Sequence, residues 1–209
     1  MAACEVAHEL ASDFAAVIAE IRRITVELQT AARSVGAGVI WRPDGLVVTS
    51  AHVVARRGWI PDVHVVLADG RIPAELIAWD RRLDLALLRI KTRGLVAATV
   101  GDAEHLRPGQ LLLAVGHPLG VTGAVVTGVV HAAPYPASGG AVTPGRPASE
   151  KAAAGWIQAD LRLAPGNSGG PLADACARVI GINAMIAGGL ALAVPSNVVE
   201  DFVRRSAPS

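Results

Sequence analysis

The chain has 209 residues, a formal net charge of +1, 52% apolar residues and 3% aromatic ones. That length suits one large all-β unit or two small barrels sharing a core, and the near-neutral charge offers no electrostatic reason to expect nucleic acid or an anionic membrane surface as a partner. With only Cys4 and Cys176, a multi-disulfide framework is excluded. The two cysteines read as free thiols, and a bridge between them would need a geometry that sequence does not supply.

In chain order, residues 1–33 read as an N-terminal helical segment. Glu5, Glu9, Asp13, Glu20, Arg22 and Arg23 interrupt its apolar runs, so it resembles neither a signal peptide nor a membrane span. With no targeting signal visible, the expectation favours the cytoplasm. Leu10, Phe14, Val17, Ile21, Ile24 and Leu28 recur at alternating spacings of four and three, which predicts a helix of about 20 residues with one apolar stripe. The stripe has two readings. It packs on the chain's own barrel, or it serves self-association or docking of an activating partner protein, because under three heptads is short for a free coiled coil.

From residue 34 the pattern changes to short apolar runs broken by turn signals such as Pro43-Asp44-Gly45 and Ala68-Asp69-Gly70. Strands are predicted at Val35 to Trp41, Leu46 to Ser50, Val63 to Leu67, Ile72 to Ala78, Leu85 to Ile90, Leu111 to Val115 and Val125 to Val130. A second series follows at Trp156 to Ala159, Pro171 to Leu172, Val179 to Asn183 and Leu190 to Val194. This spacing favours antiparallel barrels over βαβ units. Pro134 to Gly155, rich in Ala, Gly, Pro and Ser, reads as a long loop, and Val199 to Arg205 as a short closing helix with Ser196 as its N-cap.

Three segments carry candidate chemistry: Thr49-Ser50-Ala51-His52, Leu83-Asp84-Leu85-Ala86 and Ala164-Pro165-Gly166-Asn167-Ser168-Gly169-Gly170-Pro171. A hydroxyl is a weak nucleophile until an imidazole takes its proton, and the oxyanion that forms must meet fixed N–H donors. His52 is therefore the candidate base, Asp84 its orienting carboxylate and Ser168 the nucleophile, with glycines that let nearby amides converge. Gly166-Asn167-Ser168-Gly169-Gly170 also matches the Gly-x-Ser-x-Gly elbow of α/β-hydrolases. That fold places its histidine after the serine, whereas the histidines here, at 8, 52, 64, 105, 117 and 131, all precede Ser168. His8 and His105 read as exposed, His64 as a strand residue, His131 as a loop or strand end and His117 as loop-shaping. None shows metal-ligand spacing, and no cofactor is expected.

These segments, together with Gly36-Ala37-Gly38-Val39-Ile40, Gly116-His117-Pro118-Leu119-Gly120, Ile180-Gly181-Ile182-Asn183 and Ala193-Val194-Pro195-Ser196-Asn197, resemble the HtrA (DegP-like) group of trypsin-like serine proteases over roughly residues 35–205. The resemblance implies an all-β fold of two six-stranded antiparallel barrels over residues 34–209, with His52 and Asp84 on the first, Ser168 on the second and the cleft between. It implies a serine endopeptidase with an oxyanion hole at Gly166, Asn167 and Ser168. Leu163, Ala184, Met185 and Ile186 would shape the substrate site and favour small or medium aliphatic residues. Arg162, six residues before the nucleophile, either points to solvent or favours an acidic group. Extended or unfolded polypeptide, added as a strand along 184–186, is the implied substrate class.

The resemblance further implies a regulatory role for the 134–155 loop, and it admits a trimer, although the N-terminal helix is not the usual trimer element. Asn167 stands where trypsin relatives carry an acid that pairs with a new N-terminus, which disfavours zymogen cleavage. The few residues after Pro195 leave no room for the PDZ domain usual in HtrA proteins. A different class of function, a resting-inactive, chaperone-like or partner-activated binding protein on the same fold, stays open.

Overall fold

Burial along β3 (Leu46–Ser50) and β6 (Leu85–Ile90) is nearly continuous, and the architecture explains it. A computed structural model of the chain describes residues 2–30, 33–55, 62–118, 121–132 and 155–207. One closed barrel runs β1 (Thr25–Thr30), β2 (Arg33–Arg42), β3, β6, β5 (Gly70–Asp80) and β4 (Val63–Leu67). The second runs β7 (Leu111–Gly116), β8 (Ala124–Ala132), β9 (Ile157–Asp160), β12 (Leu190–Pro195), β11 (Val179–Ala187) and β10 (Pro171–Asp174). Two six-stranded antiparallel barrels are thus the observed fold.

Side chains alternate across a strand. In β3 and β6, Val47, Ala86 and Leu88 fill the first barrel, while Leu46, Val48, Leu85 and Leu87 face a second core. That core also holds Val179, Ile182 and Val194 of the other barrel and Phe202 of the C-terminal helix. A strand used on both faces reads as an unbroken apolar run, and each fully buried Leu or Val contributes about 1.5–3 kcal/mol. The β3–β6 register also places the site: Ser50 pairs with Leu85. The residues just beyond that pair, His52 and Asp84, are thereby brought side by side.

Helix α1 spans Ala2–Ile24 and lays Phe14, Val17, Ile18 and Ile21 on Leu113, Val115 and Ala173 of the second barrel. The stripe therefore packs on the chain's own fold, while Leu10 stays 69% exposed. The helix ends at Ile24 and not near residue 33. Thr25 and Val26 are β-branched, and the backbone pairs with β2 from Thr25 onward and with β4 from Glu27 onward, so Leu28 belongs to a strand of the first barrel.

The closing helix α3 (Ser196–Ser206) buries Val199, Phe202 and Val203. Ser196 is not its N-cap. Pro195 holds that position, and the Ser196 hydroxyl donates instead to the Gly101 carbonyl at 2.7 Å. Of the predicted loop Pro134 to Gly155, all but Gly155 lies outside the described residues, as does the side chain of Cys4; Cys176 is a free, exposed thiol.

Candidate active site

β3 ends in two hydroxyl residues and turns into the single-turn helix α2 (Ala51–Val54), which presents His52. The ring of His52 meets Asp84 with Nδ1 2.8 Å from Oδ2, and the His52 backbone N–H donates to the other carboxylate oxygen at 3.0 Å. The Ala51 N–H donates to the Asp84 carbonyl at 3.0 Å. Asp84 is 8% exposed and sits at φ +54, a left-handed conformation that Asp adopts more readily than most residues. A turn closed by the Asp80 carboxylate, which accepts from Arg82 N and Leu83 N, delivers it there. With Nδ1 engaged, only Nε2 of His52 is left to accept a proton.

Ser168 lies on the loop between β9 and β10. Around it the amides of Asn167, Gly169 and Gly170 donate to Ala164 O, Asn183 O and Asn167 O at 3.0, 2.7 and 3.0 Å. Among the described residues, the amides of Gly166 and Ser168 donate to no protein acceptor. The Asn167 amide, expected as part of the same anion site, is already taken. Gly166 has φ +108, and a Cβ there would strike the His117 carbonyl. Gly169, at φ +82, faces Thr49 Oγ1 and the Ala37 carbonyl just as closely. Both positions are closed to side chains.

The Ser168 hydroxyl donates to the Ala184 carbonyl at 3.2 Å, and no bond from it to His52 occurs among the described residues. Ala184 is buried, and beyond it Met185 and Ile186 are 42% and 55% exposed. β10 pairs with β11 only between Val179 and Ile182, so along residues 184–187 one edge of β11 has no strand beside it among the described residues, while Met185–Ala187 pair with β12 on the other. Leu163 packs partly buried on the second barrel's core. Arg162 is exposed, in keeping with the solvent-facing alternative.

Residues outside the sequence-read set bind the two halves together. Ser50 Oγ donates to Asn183 O at 3.0 Å, the carbonyl that also takes the Gly169 amide. Thr49 Oγ1 donates to Ala37 O at 2.7 Å, and Ala37 N donates to Ser168 O at 2.9 Å. Within the second barrel, Asn183 Nδ2 donates to Pro171 O at 2.8 Å and holds the residue whose carbonyl takes the Ser50 hydroxyl. The signal was present: hydroxyls ending an otherwise apolar, fully buried strand must find partners. His117, 5% exposed, adjoins the Gly166 loop, donating its N–H to Gly166 O at 3.0 Å. Burial holds its imidazole below the ordinary value of 6.5, with Glu27 partly opposing that shift.

A family model described as a trypsin-like peptidase domain matches residues 36–182. Proteins named probable periplasmic serine endoprotease DegP-like are similar. That of Halomonas elongata is 36% identical over 176 residues, covering 81% of this chain and 34% of the relative. That of Chlamydia pneumoniae is 35% identical over 181 residues, with the same coverage of each. The chain thus spans about a third of the length of these curated relatives.

Among solved structures, the HtrA-type protease AlgW with a decapeptide superposes with a TM-score of 0.77 at 25% identity, covering 91% of this chain and 66% of that one. AlgW with a tripeptide gives 0.76 at 29% identity, covering 91% and 62%. These relatives' names overturn the cytoplasmic expectation. The charges that argued against a leader belong to a helix packed on the barrel, and they carry no information about compartment. By the family match and these likenesses, the chain belongs to the trypsin-like peptidase domain family and is an HtrA-like serine protease domain.

Proposed function

We propose that the chain is a serine endopeptidase that hydrolyses peptide bonds of extended or unfolded polypeptide, with Ser168 as nucleophile, His52 as general base and then acid, and Asp84 as the group that orients His52 and stabilises its charged form. The observation that carries this reading is the His52–Asp84 contact at 2.8 Å together with a serine that is tied to the same barrel through Ala37 N–Ser168 O and whose loop leaves the Gly166 and Ser168 amides unengaged among the described residues. As Ser168 attacks, its proton passes to Nε2 and the carbonyl oxygen becomes an oxyanion held by those two amides. The proton then goes to the leaving amine, and water releases the acyl group by the same route reversed.

The open edge of β11 at 184–187 would take the substrate as an added strand. Ala184, Met185, Ile186 and Leu163 supply an apolar site suited to small or medium aliphatic residues. A periplasmic compartment is the reading that the relatives' names support. Peptide cleavage by purified protein and by Ser168→Ala tests the reading: turnover is expected to vanish in the variant, and retained cleavage refutes the assigned nucleophile.

A second reading has one observation in its favour. The Ser168 hydroxyl is bonded to Ala184 O, which fits a resting site that a substrate strand or a partner must complete, or a protein that binds polypeptide without cutting it. It predicts cleavage only when a further component is added, or binding of unfolded polypeptide with no cleavage at all.

A further inference from the structure

The Gly166 carbonyl and α-carbon rest on the segment that follows β7. His117 N donates to Gly166 O at 3.0 Å, and the His117 carbonyl and the Pro118 α-carbon stand so close that Gly166 has no room for a Cβ. Gly116, one residue earlier, meets Asn167 in the same way. The bond holds the 166–167 peptide and the close approach holds the Gly166 α-carbon, so the Gly166 amide, on the adjoining 165–166 peptide, is anchored from one side by this segment.

The segment is itself tied down by the N-terminal helix. Val121 N donates to Pro118 O at 2.9 Å, closing a turn, and the carbonyl of buried Gly123 accepts from Arg22 Nε at 2.7 Å, across 101 positions of sequence. Gly123 has φ +63, and a Cβ there would lie 3.2–3.5 Å from Nε, Cδ and Cγ of Arg22, so the arginine stem runs along the backbone at this point. Among the described residues this is the one side-chain hydrogen bond from α1 to the second barrel; the rest of that contact is apolar packing. An ionised donor on a carbonyl is stronger than a neutral pair, and apolar packing alone does not fix the height of a loop.

We propose that Arg22 is a positioning residue for the Gly166 amide, holding Val121–Gly123 and, through the Val121 N–Pro118 O bond, His117 and Pro118 at the distance from α1 that keeps the oxyanion loop in shape. The inference rests on the reading of Gly166 as an oxyanion donor. It gives α1 a role in catalysis: displacing the end of the helix lowers activity without touching substrate.

The test compares the full-length protein with Arg22→Ala, Arg22→Lys and Phe14→Ala, the last removing helix packing without removing the tie. Arg22→Ala is expected to lower kcat about tenfold while KM stays within about twofold, and Arg22→Lys, which retains a cationic donor, is expected to recover part of the loss. The Gly166 amide resonance in glycine-labelled protein should shift in Arg22→Ala and stay in place in Phe14→Ala, which separates loss of the tie from the loss of stability common to both variants. Phe14→Ala should lower the midpoint while kcat per folded molecule holds. An Arg22→Ala protein with wild-type kcat and an unmoved Gly166 resonance overturns the proposal. The resonance reports on the tie whether or not the protein cleaves peptide, so failure of the protease reading, seen as cleavage retained in Ser168→Ala, remains distinguishable.

Discussion

His52 and Asp84 are fixed by contacts within a single sheet, whereas Ser168 sits on a turn of the other barrel whose shape depends on glycines and on bonds across the seam. Asp84 is gripped by the His52 ring, the His52 amide and the Ala51 amide, all set by the β3–β6 register. Ser168 has its hydroxyl on Ala184 O and its carbonyl on Ala37 N, and its loop is shaped by Gly166 and Gly169 in conformations barred to other residues. In the proposed reading, the base is thus set by one barrel's strand register, whereas the nucleophile and its anion site depend on contacts across the seam, so regulation is expected to act on the second barrel's loop.

Substitutions in the two halves should separate accordingly. Asp84→Asn, on the rigid half, is expected to lower kcat by about 10³–10⁴-fold with little change in the loop, because an amide cannot stabilise the imidazolium and favours the wrong tautomer; single-turnover kinetics on a peptide ester check this. Gly166→Ala, on the half that depends on the seam, forces a Cβ against the His117 carbonyl and is expected to cost roughly 10²–10³-fold in kcat by misplacing one donor. Rescue of either variant by a partner or effector would sharpen the contrast: it is expected for the loop and not for Asp84.

Smaller effects belong to the seam. Ser50→Ala removes the hydroxyl bond to Asn183 O and is expected to cost about 0.5–1.5 kcal/mol of stability, read from the denaturant midpoint, with a modest loss of rate because Gly169 still holds that carbonyl. The smallest effect concerns His117, whose folded-state pKa lies below 6.5 through burial. On acidification the unfolded chain takes up that proton first, so stability is full above pH 6.5 and declines as the pH falls below it, until the folded imidazole also protonates. His117→Gln is expected to flatten this acid-side slope in a thermal-midpoint profile.

Much of this was legible in the residues. Leu46–Ser50, Val63–Leu67 and Leu85–Ile90 were bounded correctly, since strands buried on both or alternate faces leave a plain apolar record between turn signals. The order His, Asp, Ser excluded the hydrolase elbow before any geometry was known. The boundary at Ile24 is hidden because Leu28, which alternates with Val26 along the strand, also continues the four–three spacing of the helical stripe. The left-handed Asp84, the Ser50–Asn183 bond and the Arg22–Gly123 tie were hidden for another reason. Each depends on which distant backbone group arrives beside it, and local pattern does not carry that.

Reaction of the purified protein with a fluorophosphonate probe, read by peptide mass mapping beside Ser168→Ala, tests the central claim most directly, because such probes modify only an activated serine. The account predicts a single adduct on Ser168 in the unsubstituted protein and none in the variant. Equal labelling of both proteins, or labelling of neither with no peptide cleaved, would contradict it.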